Sequence, residues 1–185
     1  MKTSSDFEVL KKKLATLVGL RVQRCGLLIW PDEEGAKETS TSLHLEFGSK
    51  SGPPIEVTIG TCPDGQTPQV EFETWPDQFI LSDLKSRIKA WQEREFWNPQ
   101  DSHGCEYFNV SGTAEYQGLI GHLLKNIYVL YFKENPPLPS GVRLEFDSGL
   151  KLFIVPGVSG SAVFRELPVN WFPSPCDEAR VTQTD

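Results

Sequence analysis

One stretch of the chain occurs twice, and this repeat constrains the fold more than any other feature. HLEFGSKSGPPIEVTIG at residues 44–60 returns as RLEFDSGLKLFIVPG at residues 143–157. Upstream, LVGLRVQRCGLLIW at 17–30 aligns without a gap with LIGHLLKNIYVLYF at 119–132, an offset of 102 residues. The offset falls to 99 at the two Leu-Glu-Phe triplets, and Gly60 and Gly157 close both hairpins. Self-similarity at a fixed separation indicates an internal duplication.

Each copy predicts one helix followed by four strands. In the first copy the apolar residues from Phe7 to Leu17 recur at helical spacing, Ser5 is a capping residue and Gly19 ends the helix. The corresponding helix of the second copy is predicted over 82–94. The strands are predicted from alternating apolar runs over 21–30, 42–48, 54–60 and 69–74, and over 123–133, 141–147, 150–155 and 161–166.

These elements predict an α+β protein, an internally duplicated unit of a helix plus an antiparallel β meander with pseudo-two-fold symmetry. Its first repeat covers residues 1–76 and its second covers 77–173. An insertion at 97–116 has no equivalent in the first repeat, and 174–185 forms a loose carboxy-terminal tail. The two repeats are expected to pack as one compact unit. In the second hairpin, Gly149 is expected in the left-handed position of a three-residue loop that places Glu145 opposite Lys151.

Composition limits the classes of partner. The 185-residue chain carries a net charge of -7, shared between its two halves, with no basic arm. We therefore expect no generic attraction to nucleic acid or to an anionic membrane surface.

The amino terminus lacks a secretory signal, and the four cysteines form no Cys-x-x-Cys pair. A cytoplasmic protein with free thiols is the expected setting.

The candidate catalytic residues are few and poorly arranged. Of the three histidines, His44 lies on the outward face of a strand, His122 begins a strand, and only His103 lies in a polar loop, beside Cys105. A histidine and a cysteine two residues apart on one loop are a poor nucleophile and base pair, and no second set of metal ligands is visible. We predict no catalytic residue, no metal and no cofactor, and the chain is expected not to be an enzyme.

The paired acids have a structural interpretation. Glu46 and Glu145 occupy equivalent positions in the two copies, where outward-facing strand residues form ion pairs with neighbours such as Lys151. Phosphate-binding glycine motifs and a Gly-x-Ser-x-Gly elbow are both missing from the sequence.

Two acidic clusters are the candidate partner-binding residues. A charge run is usually a solvated surface, but one of these clusters surrounds an aromatic residue, and binding hot spots favour tryptophan within a polar rim. The clusters predict contact with a basic protein. Their members are Asp32, Glu33 and Glu34, which follow a strand, and Glu71, Glu73 and Asp77 around Trp75.

The hairpin motif, Gly121 followed by Val142 to Leu152, resembles small α+β proteins encoded beside bacterial polymorphic and contact-dependent toxins. Those proteins are immunity proteins. The resemblance implies an acidic, cytoplasmic, non-catalytic chain that binds a cognate toxin domain and blocks its active site. It identifies no residue for toxin contact.

A second class stays open on the sequence alone. A small-ligand-binding or scaffold protein would carry a pocket between the two repeats. Acidity without catalytic residues favours toxin neutralisation, whereas an apolar cleft holding His103 or the tryptophans favours the ligand-binding class. The sequence does not determine the oligomeric state.

Overall fold

The structure, a computed structural model, describes residues 4–30, 40–48, 52–61, 67–74, 80–83, 85, 86, 89, 106–133, 138–157, 160–172 and 176–182. In these residues the chain is mainly antiparallel β-sheet with one α-helix, an α+β-like arrangement. These residues form one sheet of six strands and one of five.

The bounds of the elements follow in chain order. The amino-terminal part contains α1 (Ser4–Ala15), β1 (Arg21–Trp30), β2 (Ser40–Gly48), β3 (Ile55–Thr61), β4 (Pro68–Glu71), β5 (Ile80–Leu81) and β6 (Glu106–Asn109). The remainder contains a 3-10 helix (Gln117–Leu119), β7 (Leu124–Phe132), β8 (Leu138–Phe146), β9 (Lys151–Pro156), β10 (Ser161–Phe164) and β11 (Asp177–Arg180). The first sheet has the strand order β4-β3-β2-β1-β6-β5 and the second has the order β10-β9-β8-β7-β11. Among these described strands all pairs are antiparallel except β5 with β6.

The eight strands predicted from the repeat are confirmed, with β1 at the predicted bounds. The helix α1 is also confirmed: Phe7, Leu10 and Leu14 are buried, and Gly19 has a φ of +82°. This left-handed conformation suits glycine, which has no Cβ to clash. The second predicted helix, 82–94, lies largely outside the described residues, although 85, 86 and 89 have helical backbone.

The second hairpin has the predicted turn. Gly149 has a φ of +85°, and its N–H donates to the carbonyl of Phe146 at 2.9 Å. The N–H of Phe146 in turn donates to the carbonyl of Leu150 at 2.9 Å. Glu145 is then opposite Lys151, as the alternation of the sequence required.

The two meanders have the same strand order and the same register. Cys25 is opposite Leu45 in the first sheet, and Ile127 is opposite Leu144 in the second. These pairs are related by the offsets of 102 and 99 residues seen in the sequence. The pairing registers of the remaining strands of the two meanders agree in the same way. The first strand of each meander also has a register irregularity at the equivalent place, between Val22 and Arg24 in β1 and between Leu124 and Asn126 in β7.

A reciprocal set of backbone hydrogen bonds joins the two sheets at one end. The N–H of Gly19 donates to the carbonyl of Leu124, and the N–H of Gly121 donates to the carbonyl of Val22, both at 2.8 Å. Exchanging each residue for its partner 102 positions away converts one bond into the other. At the centre of this joint Arg21 forms an isolated bridge with Leu123, its own equivalent.

Each meander gains a further strand that the sequence analysis missed. β6 pairs with β1, so part of the predicted insertion, together with β5 beyond residue 76, belongs to the first sheet. β11 pairs with β7, so the prediction of a loose tail is wrong for residues 177–180. The two added strands are equivalent: the N–H of Val110 donates to Cys25 at 3.0 Å and that of Val181 donates to Ile127 at 2.9 Å.

One apolar core lies between the sheets. It is formed by the inward residues of both sheets and by α1, and includes Phe47 and Phe146. Away from the backbone joint, the Ser161 hydroxyl donates to the carbonyl of Thr41 at 2.7 Å and links β10 to β2. Within the described part of the chain, no helix combines the length and apolar character needed to span a membrane.

Candidate functional site

The outer face of the first sheet carries a cluster of polar and charged side chains, several of them largely buried. His44 is opposite Thr58, and Thr58 is opposite Glu71, so these residues form one row across β2, β3 and β4. The next row contains Arg24, Glu46 and Glu56 on β1, β2 and β3. Because strand residues alternate between faces, both rows lie on the side of the sheet opposite the apolar core.

Arg24 is the cation of this cluster. Its Nη2 atom lies 2.8 Å from Glu46 and 3.8 Å from Glu56. The prediction that Glu46 forms a structural ion pair is therefore confirmed, as is the one for Glu145, which lies 3.5 Å from the Lys151 ammonium. Counting Glu71 and Glu73, these positions carry four carboxylates against one arginine, so the face is acidic.

His44 lies on the predicted outward face but is fully buried, and no feature of the neighbouring sequence indicated that burial. Its Nδ1 lies 3.1 Å from the Thr58 hydroxyl, its Nε2 lies 3.3 Å from Glu56, and the Tyr107 ring packs edge-on against it. A carboxylate only accepts hydrogen bonds, so we place the ring proton on Nε2, and Nδ1 accepts from Thr58. Burial lowers the pKa of His44 below its ordinary 6.5, and the attraction of Glu56 only partly offsets this effect.

This geometry favours a structural role for His44. Nδ1 is paired with the Thr58 hydroxyl, Nε2 lies within ion-pair distance of Glu56 without a well-formed hydrogen bond, and the ring is not exposed to solvent, so no lone pair faces a substrate. The equivalent position in the second sheet is Arg143, which bonds to Glu178 on β11 just as His44 packs against Tyr107 on β6. Each polar residue therefore attaches the added strand of its own sheet to the meander.

The burial of His44 predicts that stability depends on pH. The unfolded chain binds a proton near pH 6.5 and the folded chain does so only at lower pH, so the contribution of His44 is complete above pH 6.5 and decreases as the pH falls below it. The groups facing the ring are Arg24, Glu56, Glu73 and Tyr107. We expect the free energy of unfolding to fall between pH 6.5 and 5 with a slope of at most about 1.4 kcal/mol per pH unit.

Chemical unfolding of the wild type and of His44→Gln at several pH values measures this slope. The glutamine variant should lose most of it, because an amide does not titrate in this range. His122→Gln is the matched control. It makes the same substitution at a partly exposed histidine, and the variant keeps the buried ring of His44. Equal slopes in the wild type and His44→Gln would show that His44 is not the titrating group.

The structure describes only part of the predicted partner-binding set. Asp32, Glu33, Glu34, Trp75 and Asp77 lie outside the described residues, as do the loop residues His103 and Cys105. Glu71 and Glu73 are described and lie together at the end of β4, where Glu71 is exposed and Glu73 is partly buried towards His44.

Phe72, between those two glutamates, was missed by the sequence analysis. Its side chain is 48% exposed, which is unusual for a phenylalanine. The sequence carried no signal of this exposure, because alternation from the inward Val70 predicts that Phe72 faces the core. β4 is an edge strand, and Lys13 of α1 donates to its Val70 carbonyl at 3.1 Å, so the helix covers part of this edge. We call Glu71, Phe72 and Glu73 the β4 edge patch.

Other reactive groups give no site in the described residues. In that portion of the chain no three histidine, cysteine or acidic side chains are grouped so that they could hold a metal ion. Cys25 is buried in the core, and burial raises the pKa of its thiol well above the ordinary range. A thiol held in its protonated form is a poor nucleophile.

Comparison with known proteins gave no relative. The chain matches no protein-family model, no curated protein sequence and no solved structure.

Proposed function

We propose that this chain is a non-catalytic, cytoplasmic protein-binding module of the immunity-protein kind, which binds a basic toxin domain through the β4 edge patch. The observation that carries the proposal is the exposed aromatic side chain of Phe72, which directly follows the edge strand β4 and is flanked in sequence by two carboxylates. Aromatic anchors within a polar rim are typical of binding hot spots, and carboxylates attract a basic partner before contact is made.

Comparison of the two sheets supports this choice of surface. By strand register, Phe164, Arg165 and Glu166 occupy in the second sheet the places that Glu71, Phe72 and Glu73 occupy in the first. Phe164 packs against Trp171 with 4.7 Å between ring centroids. The exposed acidic and aromatic combination therefore belongs to one of two equivalent edges, which is what a specific contact with one partner requires.

We further propose that the two sheets arose by internal duplication and are related by a pseudo-two-fold axis through Arg21 and Leu123. The matching registers and the reciprocal hydrogen bonds of Gly19 and Gly121 support this origin. We infer that the repeat boundary lies after Val110 rather than at residue 76, since β6 corresponds to β11. A duplicated scaffold explains why the polar faces resemble each other while the edges differ.

The ligand-binding alternative receives less support. Its pocket would lie between the two repeats, and there the described residues form a continuous cluster of buried apolar side chains, including Leu45, Phe47, Leu144 and Phe146.

Co-purification with the product of the adjacent gene, followed by binding kinetics, tests the proposed function. Glu71→Lys should slow association by about threefold to tenfold at low salt and reduce its salt dependence. Phe72→Ala should instead speed dissociation, because it removes an anchor worth about 2 kcal/mol.

Glu166→Lys is the matched control, because it makes the same charge change beside the other edge, at the place equivalent to Glu73. It should leave both rate constants close to those of the wild type. Binding that is independent of salt and unchanged by Glu71→Lys and Phe72→Ala would remove the β4 edge patch from the interface.

A further inference from the structure

The two equivalent added strands are attached by different chemistry. β6 buries Tyr107 and Phe108, and Val110 follows it into the core; each of these side chains is about 1% exposed. β11 has no aromatic residue and is followed by the buried Val181. Burial of two aromatic side chains outweighs exposed polar contacts severalfold, so β6 is the more firmly attached strand.

Ion pairs and polar contacts provide much of the attachment of β11. Arg143 donates to Glu178 from Nε at 2.9 Å and also from Nη2, which is a bidentate pair. Lys133 lies 2.8 Å from Asp177, and the Lys133 side chain is 76% exposed. The exposed Lys133 pair is weak in water and is screened by salt. The Arg143–Glu178 pair, with 10% and 40% of its side chains exposed, is screened less but still depends on a carboxylate that water reaches.

We propose that β11 is a releasable strand: it detaches from β7 while the rest of the second sheet stays folded, and the edge it leaves binds an extended acidic peptide. The chain's own segment shows the chemistry of that occupant. A carboxylate faces the Arg143 guanidinium, a small residue (Ala179) packs on the core, and an aliphatic residue (Val181) follows.

Release would expose two complementary features at once. The first is the edge of β7, whose backbone groups pair with Asp177 to Arg180 in the closed state. The second is the Arg143 guanidinium, whose Cζ atom lies 3.9 Å from the centroid of the Tyr128 ring. This contact keeps the guanidinium in place when Glu178 is released. An unpaired strand edge beside an arginine guanidinium can bind an extended peptide segment that carries a carboxylate.

Hydrogen exchange of the full chain, followed by mass spectrometry, tests the release. Peptides covering β11 should exchange about tenfold faster than peptides covering β6, which is the internal control. Raising NaCl from about 0.1 M to about 1 M should speed exchange of β11 by about a further threefold and leave β6 unchanged. Equal protection of the two strands at both salt concentrations overturns the proposal.

A labelled peptide, Asp-Glu-Ala-Arg-Val, tests the acceptor edge. Glu178→Gln loosens β11 and should increase binding of the peptide at least about threefold over the wild type. Glu145→Gln is the matched control, because Glu145 contacts the same guanidinium from within the meander. Failure of the peptide to bind Glu178→Gln, when exchange shows that β11 is released, excludes the acceptor role.

Discussion

Replacing Phe146 by alanine is expected to lower the free energy of unfolding by about 3 to 5 kcal/mol. Phe146 ends β8 opposite Leu124, and only 2% of its surface is exposed. Its removal deletes a large apolar contact and leaves a cavity that the two sheets cannot close without moving closer together and disturbing their other contacts. Phe47, at the equivalent position in the first sheet, should respond alike. Chemical denaturation of the purified variants measures both losses.

Phe72→Ala is the control for this prediction. The same change at a side chain that is 48% exposed should cost less than about 1 kcal/mol. A similarly small loss at Phe146 would show that the core between the sheets is not packed around this ring.

The second large effect is expected at Arg24. Arg24→Met keeps most of the side-chain volume but leaves Glu46 and Glu56 without their cation. Breaking a fully buried pair costs about 3 to 5 kcal/mol, and because these side chains retain some exposure we expect about 2 to 3 kcal/mol. The exposed fractions are 19% for Arg24, 17% for Glu46 and 8% for Glu56.

Neutralising the carboxylates distinguishes charge from packing. Adding Glu46→Gln and Glu56→Gln to Arg24→Met should restore part of the lost stability, because no unpaired charge then remains buried. Arg21→Met, at an exposed arginine on the same strand, should change stability by less than about 1 kcal/mol. A triple variant less stable than Arg24→Met alone would contradict the electrostatic explanation.

Local patterns in the sequence predicted the meanders well. Apolar alternation located β1 and the hairpin of β8 and β9, and the Asp-Ser-Gly turn defined the left-handed Gly149. These features depend on contacts between near neighbours in the chain, so they can be inferred one segment at a time.

The added strands could not be predicted in this way. β6 joins β1 across a separation of about eighty residues, and its four residues, Glu-Tyr-Phe-Asn, are too few to show a period. β11 has the sequence Asp-Glu-Ala-Arg, which reads as a solvated tail because its attachment depends on partners distant in the chain, such as Arg143. The burial of His44 was missed for a related reason: alternation predicts the face of a strand, not what covers that face.

The candidate site was predicted in part. Glu71 and Glu73 were predicted as partner-binding residues because they surround Trp75, and the structure places them at the end of β4 and just beyond it. Trp75 was the aromatic residue predicted for this cluster, and Phe72 was missed. Its exposure is seen only in the arrangement of the strands.

The joint between the two sheets also affects the folding kinetics. Arg21 reaches the carbonyl of Gly121 across 100 positions of the chain, and the neighbouring backbone bonds have similar separations. Ordering such a long loop costs entropy before any contact at the joint is gained, so topologies of this kind fold in milliseconds to seconds rather than microseconds. Each meander can form its local hairpins early, and the joining of the two halves is then the slow step that commits the chain to its native state.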